Sequence, residues 1–186
     1  MKRIVAILTA LLLCMTLSAA AQTRGYKAGD YIKFGNYEQD NNLSNGKEPI
    51  EWLVLAVQSN GAYLLISRYV LDAKPYNTTL SGKTTWETST LRKWLNEEFY
   101  NAAFSKAEKD RIIPANLVNG RYLMDTDSVG GRAVCDNGND TIDKVWTLSY
   151  DEKHLRLCFE YPQAQCISTA YAIAQGIYLD SDYKII

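Results

Sequence analysis

The chain has 186 residues, a net charge of −1 at neutral pH and 47% hydrophobic residues. This length fits a single domain with enough chain for a sizeable core. The slightly negative net charge differs from the basic charge that nucleic-acid-binding domains usually carry, which argues against nucleic acid as a partner.

The first residues have the pattern of a cleaved secretory leader. Two basic residues precede an uncharged apolar run at 4–17, and S-A-A-A at 18–21 provides a cleavage site. The apolar run is too short for an ordinary membrane span. We therefore predict a signal peptide at 1–21, a single domain at 22–186 without a membrane span, and a secreted, periplasmic or cell-surface location.

The four cysteines fall into two groups. Cys14 lies in the leader and would be the acylated residue of a lipoprotein signal, an alternative that Leu13 disfavours because a small residue is expected there. Secretion allows one disulfide among the other three cysteines. A bridge between Cys158 and Cys166 would leave Cys135 free, but nothing in the sequence fixes that pairing.

Two apolar runs around an Asn-Gly pair predict a central hairpin. Residues 50–57 read I-E-W-L-V-L-A-V and residues 62–67 read A-Y-L-L-I-S, with Asn-Gly at 60–61 between them. A short strand bounded by glycines is expected at 29–35, and a polar loop at 38–49. The density of apolar residues places the hairpin in the centre of a sheet.

The stretch at 85–104 predicts a helix that packs on this sheet. Ser89 or Thr90 can cap its start, and the capping box S-K-A-E at 105–108 predicts a second helix. The apolar positions of the first helix follow helical spacing; they are Leu91, Trp94, Leu95, Phe99, Ala102 and Ala103.

The remaining chain predicts one long loop, one strand and two short helices. Residues 116–143 are rich in glycine and acids and are expected to form the loop. The strand is expected at 144–149 and one short helix from the capping box at 149–152. Residues 168–175 predict another helix with Gly176 as its C-terminal stop. The pattern favours an α+β fold, with a mainly antiparallel sheet and two or three packed helices.

Six motifs resemble a family of bacterial secreted and cell-surface domains of unknown function. Together they cover the chain from about 29 to 176, in the order expected for the family. They are F-G-N-Y at 34–37, P-I-E-W-L-V-L at 49–55, L-L-I-S at 64–67, T-W-E-T-S-T-L-R-K-W-L-N-E-E-F-Y-N-A-A-F-S at 85–105, D-K-V-W-T-L-S at 143–149 and T-A-Y-A-I-A-Q-G at 169–176.

This family is distantly similar to C-type-lectin-like domains, including the branch that contains the sulfatase-modifying enzymes. The resemblance therefore implies a C-type-lectin-like sheet. Members usually continue past the last motif into a W-W-L-R-S-P-G segment and further strands. The resemblance thus implies either a fold that lacks its closing strands or a fragment of a longer protein.

Three residues of the longest motif are candidates for ligand binding, namely Trp86, Glu87 and Arg92. An aromatic ring flanked by opposite charges can bind a glycan or a peptide. The structural interpretation is that Arg92 pairs with an acid and ties the helix to the loop before it, and the apolar residues of the motif favour that interpretation.

The acidic stretch is a candidate calcium site, because calcium prefers oxygen ligands and millimolar affinity suits extracellular modules. Its spacing follows an EF-hand loop only in part, since Val129 stands where an oxygen ligand is needed. A plain solvated loop is the alternative. The candidate ligands are Asp125, Asp127, Asp136 and Asp140.

The sequence contains no motif that names a reaction. It has no Gly-x-Ser-x-Gly elbow and no glycine-rich phosphate loop. The single histidine, His154, stands among charged residues of a predicted helix, where a solvated role is expected. Glu51 and Glu87 are candidates for a glycosidase carboxylate pair, which only their separation in space can test.

We predict an exported, non-catalytic domain that binds a glycan, a peptide or a partner protein. The alternatives are an enzyme of the sulfatase-modifying branch or a glycan hydrolase, and a truncated copy without activity. No cofactor is predicted besides the candidate calcium.

Overall fold

The computed structural model describes residues 11–16, 25–79, 84–119, 122–126, 131–135, 138–148 and 167–177. Its main feature is a five-stranded sheet in the order β10-β1-β4-β3-β2, in which every neighbouring pair is antiparallel. The strands are β1 (Leu11–Thr16), β2 (Tyr31–Tyr37), β3 (Glu48–Val57), β4 (Ala62–Ser67) and β10 (Val145–Thr147).

Within the described residues, three two-stranded ladders form separately from this sheet. The parallel ladder consists of β5 (Tyr69–Val70) and β11 (Ile167–Ser168). The two antiparallel ladders join β6 (Ala115–Leu117) to β9 (Thr141–Asp143) and β7 (Tyr122–Thr126) to β8 (Gly131–Cys135).

These last two ladders correct the prediction of a long loop at 116–143. The glycines and acids of this stretch resemble those of a solvated loop. Strand formation depends on cross-strand pairing more than on intrinsic propensity. Because the pairing of Leu117 with Thr141 joins residues far apart in sequence, the local pattern of this stretch did not indicate it.

The helices lie where the capping motifs place them. Residues 90–103 form one continuous helical segment in which a π-turn, Leu95–Phe99, separates α1 (Thr90–Trp94) from α2 (Tyr100–Ala103). The Ser89 side chain accepts from the Arg92 amide, so Ser89 is the N-cap. Two short helices follow, α3 (Lys106–Lys109) with its complete capping box and α4 (Ala170–Ala174) before Gly176.

The helical segment packs on one face of the sheet and forms the larger core cluster. Leu95 and Phe99 are buried against Trp52 and Leu65 of the sheet. Trp52 is fully buried and its Nε1 donates to the Phe34 carbonyl at 2.7 Å. Each large aromatic side chain buried in this way stabilises the fold by about 2–3 kcal/mol.

The opposite face of the sheet carries a second apolar cluster. Leu53, Ile66 and Trp146 are buried there, with Ala115 and Leu117 of β6 packed against them. The half-buried Trp86 contacts both clusters. Both faces of the hairpin β3–β4 are therefore covered, as its apolar sequence predicts.

The close approach between β2 and the end of the helical segment depends on Gly35. Its φ is +72°, and a Cβ there would meet the Phe104 ring at 2.6 Å and the Ala103 oxygen at 2.9 Å. The Gly35 amide donates to Glu108 Oε1 at 2.9 Å, so the capping carboxylate of α3 also fixes the bulge of β2.

The structure confirms the α+β prediction of a mainly antiparallel sheet with a few packed helices. Among the described residues, no helix is long and apolar enough to cross a bilayer. The helix predicted from 149–152 lies outside the described residues. The predicted leader contributes β1, which occupies an interior position of the sheet.

Candidate functional site

A cleft of about 470 Å³ lies between the start of helix α1 and the segment that joins β9 to β10. Arg92, Lys93 and Glu97 line it from the helical segment, Asp143 from the end of β9, and Lys144 from the connection to β10. The predicted ligand-binding motif therefore borders a concave surface.

The carboxylate of Asp143 joins three elements beside this cleft. It accepts from Arg92 Nε at 2.7 Å, from Trp86 Nε1 at 2.9 Å and from Thr141 Oγ1 at 2.8 Å. The Asp143 side chain is fully buried. A buried charge needs both a counter-ion and satisfied hydrogen bonds, and Asp143 has both. It serves as a structural anchor, and the pairing of Arg92 with an acid matches the structural interpretation of the motif.

Arg92 keeps part of its guanidinium available to the cleft. Its side chain is 27% exposed, and one Nη donates to the Glu87 carbonyl at 3.3 Å. No described residue accepts a hydrogen bond from the second Nη. Because Asp143 fixes the orientation of the group, that nitrogen can donate to a ligand at little entropic cost.

The other two predicted ligand residues take different positions. The Glu87 carboxylate lines the cleft and accepts from Asn139 Nδ2 at 3.0 and 3.3 Å. Trp86 lies in the same network but does not border the cleft, since its ring packs between the two apolar clusters. The structure thus brings Trp86, Glu87 and Arg92 together.

Asn96 borders the cleft and was not singled out from the sequence. Its Nδ2 donates to the Val145 carbonyl at 2.9 Å, and its Oδ1 accepts from the Lys144 amide at 2.7 Å and the Val145 amide at 3.3 Å. The Asn96 side-chain amide thus makes hydrogen bonds to the backbone at the start of β10, much as the backbone of a neighbouring strand would. Asn96 lies in the π-turn, and π-turns are frequent at functional sites, but no local sequence signal predicts one.

Two lysines provide further donors at the cleft. Lys93 is exposed on the helical segment. Lys144 Nζ lies 4.3 Å from the centroid of the Tyr100 ring, a cation–π distance that restrains its position.

The predicted calcium ligands are only partly within the described residues. Asp127 and Asp136 lie outside them, and Asp125 is placed in strand β7 by its backbone. Asp140 Oδ1 accepts from the Asn119 amide at 2.9 Å, as in an ordinary loop. Calcium binding by these residues stays a prediction.

The structure assembles a different acidic group that the sequence analysis missed. Carboxylate oxygens of Glu38, Asp40 and Glu48 lie within 4.8 Å of one another. Burial raises the pKa of Glu38, while hydrogen bonds from the Asn45 side chain and the Asn42 amide lower the pKa of Asp40. Such a group could hold a cation, but these amide donors already stabilise the loop between β2 and β3, so we assign it no function.

The two candidate glycosidase carboxylates, Glu51 and Glu87, both lie within the described residues. Glu51 makes an ion pair with Arg68 at 2.6 Å, whereas Glu87 contacts Asn139, so the two carboxylates have separate partners. His154 lies outside the described residues, so its predicted role as a solvated helix residue stays a prediction.

Comparison with known proteins gives one family match. A family model described as a domain of unknown function (DUF6273) matches residues 60–176, which include the helical segment and all the residues that line the cleft. No curated protein and no solved structure matches the chain. The C-type-lectin-like relation therefore stays a prediction.

Proposed function

The chain belongs to the DUF6273 family of domains of unknown function, and we propose that it is an exported, non-catalytic domain whose cleft binds an uncharged glycan. Export follows from the leader pattern at 1–21. The ligand class follows from the cleft.

The proposed ligand class rests on the charges of the residues that line the cleft. Among its described lining residues, Arg92, Lys93 and Lys144 are cations and Glu87 and Glu97 are acids, whereas the carboxylate of Asp143 is fully buried and paired with Arg92. A strongly charged ligand would meet repulsion from one of these sets. Sugar hydroxyls both donate and accept hydrogen bonds, so they can use both sets at once.

The rigidity of the cleft supports binding over catalysis. Asp143 has three donors, and Glu87 is bonded to Asn139. A general acid or base must exchange a proton with its substrate, and a carboxylate already held by several donors is poorly suited to that. Fixed side chains lose little entropy when they bind a ligand.

Glycan binding can be tested with the chain from Gln22 onward on an array of glycans and peptidoglycan fragments, with and without calcium. The double variant Lys93→Ala/Glu97→Ala removes one exposed cation and one exposed acid from the cleft. We expect at least a tenfold loss of affinity, since a hydrogen bond to a charged group contributes about 1.5–3 kcal/mol.

The matched control is Lys106→Ala/Asp110→Ala, which removes an exposed ion pair of the adjacent α3 region, outside the cleft. Its affinity should equal that of the unmodified protein. Binding of peptides alone, or equal loss in both double variants, would refute the proposal. Turnover of a glycan that disappears in Glu97→Ala would favour the enzyme alternative.

Export can be tested separately by N-terminal sequencing of the secreted protein. A start at Gln22 is expected. A start at an acylated Cys14 would show the lipoprotein alternative instead.

A further inference from the structure

One wall of the cleft is apolar and is not used by the hydrogen bonds expected for sugar hydroxyls. Pro114 and Ile142 line the cleft and both are exposed, Ile142 by 70%. They lie on the outer face of the β6–β9 ladder, because Ile142 pairs with Asn116, two residues after Pro114. The inner face packs on the second apolar cluster through Ala115 and Leu117. The outer wall is therefore open to an apolar group of a ligand.

The donor beside this wall is the guanidinium of Arg92, whose second Nη donates to no described residue. Arg92 Nε bonds the carboxylate of Asp143 at 2.7 Å, and Asp143 directly follows Ile142 in β9. Since Asp143 is buried and Ile142 is exposed, the guanidinium lies deeper in the cleft than the isoleucine. The backbone adds no donor here, because every amide from 88 to 92 already donates within the protein.

An acceptor also adjoins this guanidinium. Arg92 donates to the Glu87 carbonyl at 3.3 Å, and Glu87 itself lines the cleft. The Glu87 carboxylate accepts three hydrogen bonds from Asn139, at 3.0, 3.3 and 3.4 Å. A carboxylate offers about four lone-pair sites, so one acceptor site of Glu87 remains for a ligand.

We propose that the glycan bound in the cleft carries an N-acetyl group, as N-acetylhexosamines do. This inference rests on the proposed glycan binding and specifies the class of sugar. An acetamido group is planar and combines a carbonyl acceptor, an N–H donor and a methyl group. Its carbonyl accepts from Arg92, its N–H donates to the Glu87 carboxylate, and its methyl group contacts Ile142 and Pro114.

Other substituents of a sugar match these groups less completely. A hydroxyl can hydrogen-bond Arg92 or Glu87, but it has no apolar part for the wall of Ile142 and Pro114. A free amino group would bring a positive charge toward Arg92 and Lys93, and a sugar carboxylate would face Glu87. The acetamido group is uncharged and therefore suits a cleft that contains both signs of charge.

Two trisaccharides of the same linkage test this inference on the chain from Gln22 onward. Tri-N-acetylchitotriose and cellotriose are both uncharged, and they differ only in having an acetamido group or a hydroxyl at carbon 2 of each sugar. Isothermal titration calorimetry measures both affinities. We expect cellotriose to bind about tenfold or more weakly, because it loses one hydrogen bond to a charged group together with the methyl contact.

The variant Ile142→Ser tests the apolar wall. The affinity for tri-N-acetylchitotriose should fall about threefold, since the methyl group loses its apolar contact, while the affinity for cellotriose should not change. The matched control is Val118→Ser, because Val118 is 77% exposed on the same face of the ladder but does not line the cleft. It should change neither affinity. Both variants should unfold at the urea midpoint of the parent, since both side chains are exposed.

Three results would overturn this inference and leave glycan binding standing. The first is equal or tighter binding of cellotriose, or binding only of array glycans that lack N-acetyl groups. The second is an equal loss of affinity for both trisaccharides in Ile142→Ser, which would show that the wall contacts the sugar ring. The third is a loss of affinity in Val118→Ser that equals the loss in Ile142→Ser.

Two further results would refute glycan binding and this inference together. One is the absence of binding to both trisaccharides and to every glycan of the array. The other is binding of N-acetylalanine amide as tight as that of tri-N-acetylchitotriose, which would show that the cleft recognises an acetylated peptide.

Discussion

Replacing Arg92 with alanine removes the cation that neutralises the fully buried carboxylate of Asp143. Breaking a buried ion pair from one side typically costs about 3–5 kcal/mol. Arg92 itself is 27% exposed, and Trp86 and Thr141 still donate to the carboxylate in the variant. We therefore expect a smaller loss of about 2–3 kcal/mol in the free energy of unfolding.

Urea unfolding, with tryptophan fluorescence as the signal, measures this loss as a shift of the unfolding midpoint to lower urea concentration at an unchanged m-value. The control is Lys93→Ala, since Lys93 is exposed on the same helix and should change stability by less than about 0.5 kcal/mol. The double variant Arg92→Ala/Asp143→Ala should lose less than the sum of the single variants. A loss below about 1 kcal/mol for Arg92→Ala would show that solvent screens the pair and would refute the anchoring role.

Further predictions concern the packing around β2 and the helices. Gly35→Ala should lower stability by about 2–4 kcal/mol in thermal unfolding, because φ is +72° and the new Cβ meets Phe104 at 2.6 Å; Gly46→Ala, in open space at φ +94°, should lose only about 1–2 kcal/mol. Phe99→Ala should lose about 3–5 kcal/mol in urea unfolding, since the ring is 1% exposed in the core. Partial burial alone would raise the pKa of Glu108, but hydrogen bonds from its capping box and Gly35 lower it overall. The stabilisation of the fold by ionised Glu108 is therefore complete above the unfolded pKa and is lost as the pH falls through the lower folded pKa. A Glu108→Gln variant should accordingly lose less stability than the unmodified protein between about pH 5 and 3.

The parts of the fold that sequence could predict depend on local rules. The Asn-Gly turn at 60–61, the cap at Ser89 and the capping box at 105–108 each act within four residues, and each lies where the pattern places it. The apolar spacing of 85–104 likewise predicts the helix that packs on the sheet. The structure only adds that the helix begins at Thr90 and contains a π-turn.

The network of the candidate site could not be predicted in the same way. The sequence predicted that Arg92 pairs with an acid but could not identify that acid as Asp143, which also accepts from Trp86 and is more than fifty residues away from both. Asn96 bonds Val145 across a similar distance. Such contacts depend on how the elements pack, and a single sequence contains no local signal for them.

The π-turn at Leu95–Phe99 has a consequence for how the helical segment tolerates changes in length. A π-turn contains one residue more than a regular turn, and it brings the Trp94 and Phe99 rings, five residues apart, to a centroid distance of 5.5 Å. Deleting one residue there would restore an ordinary helical turn with little change in the relative orientation of α1 and α2, because the extra residue is taken up within the turn. We therefore expect a one-residue deletion in this turn to be tolerated better than one within α1, which would rotate Arg92 by about 100° relative to the core-facing residues that follow.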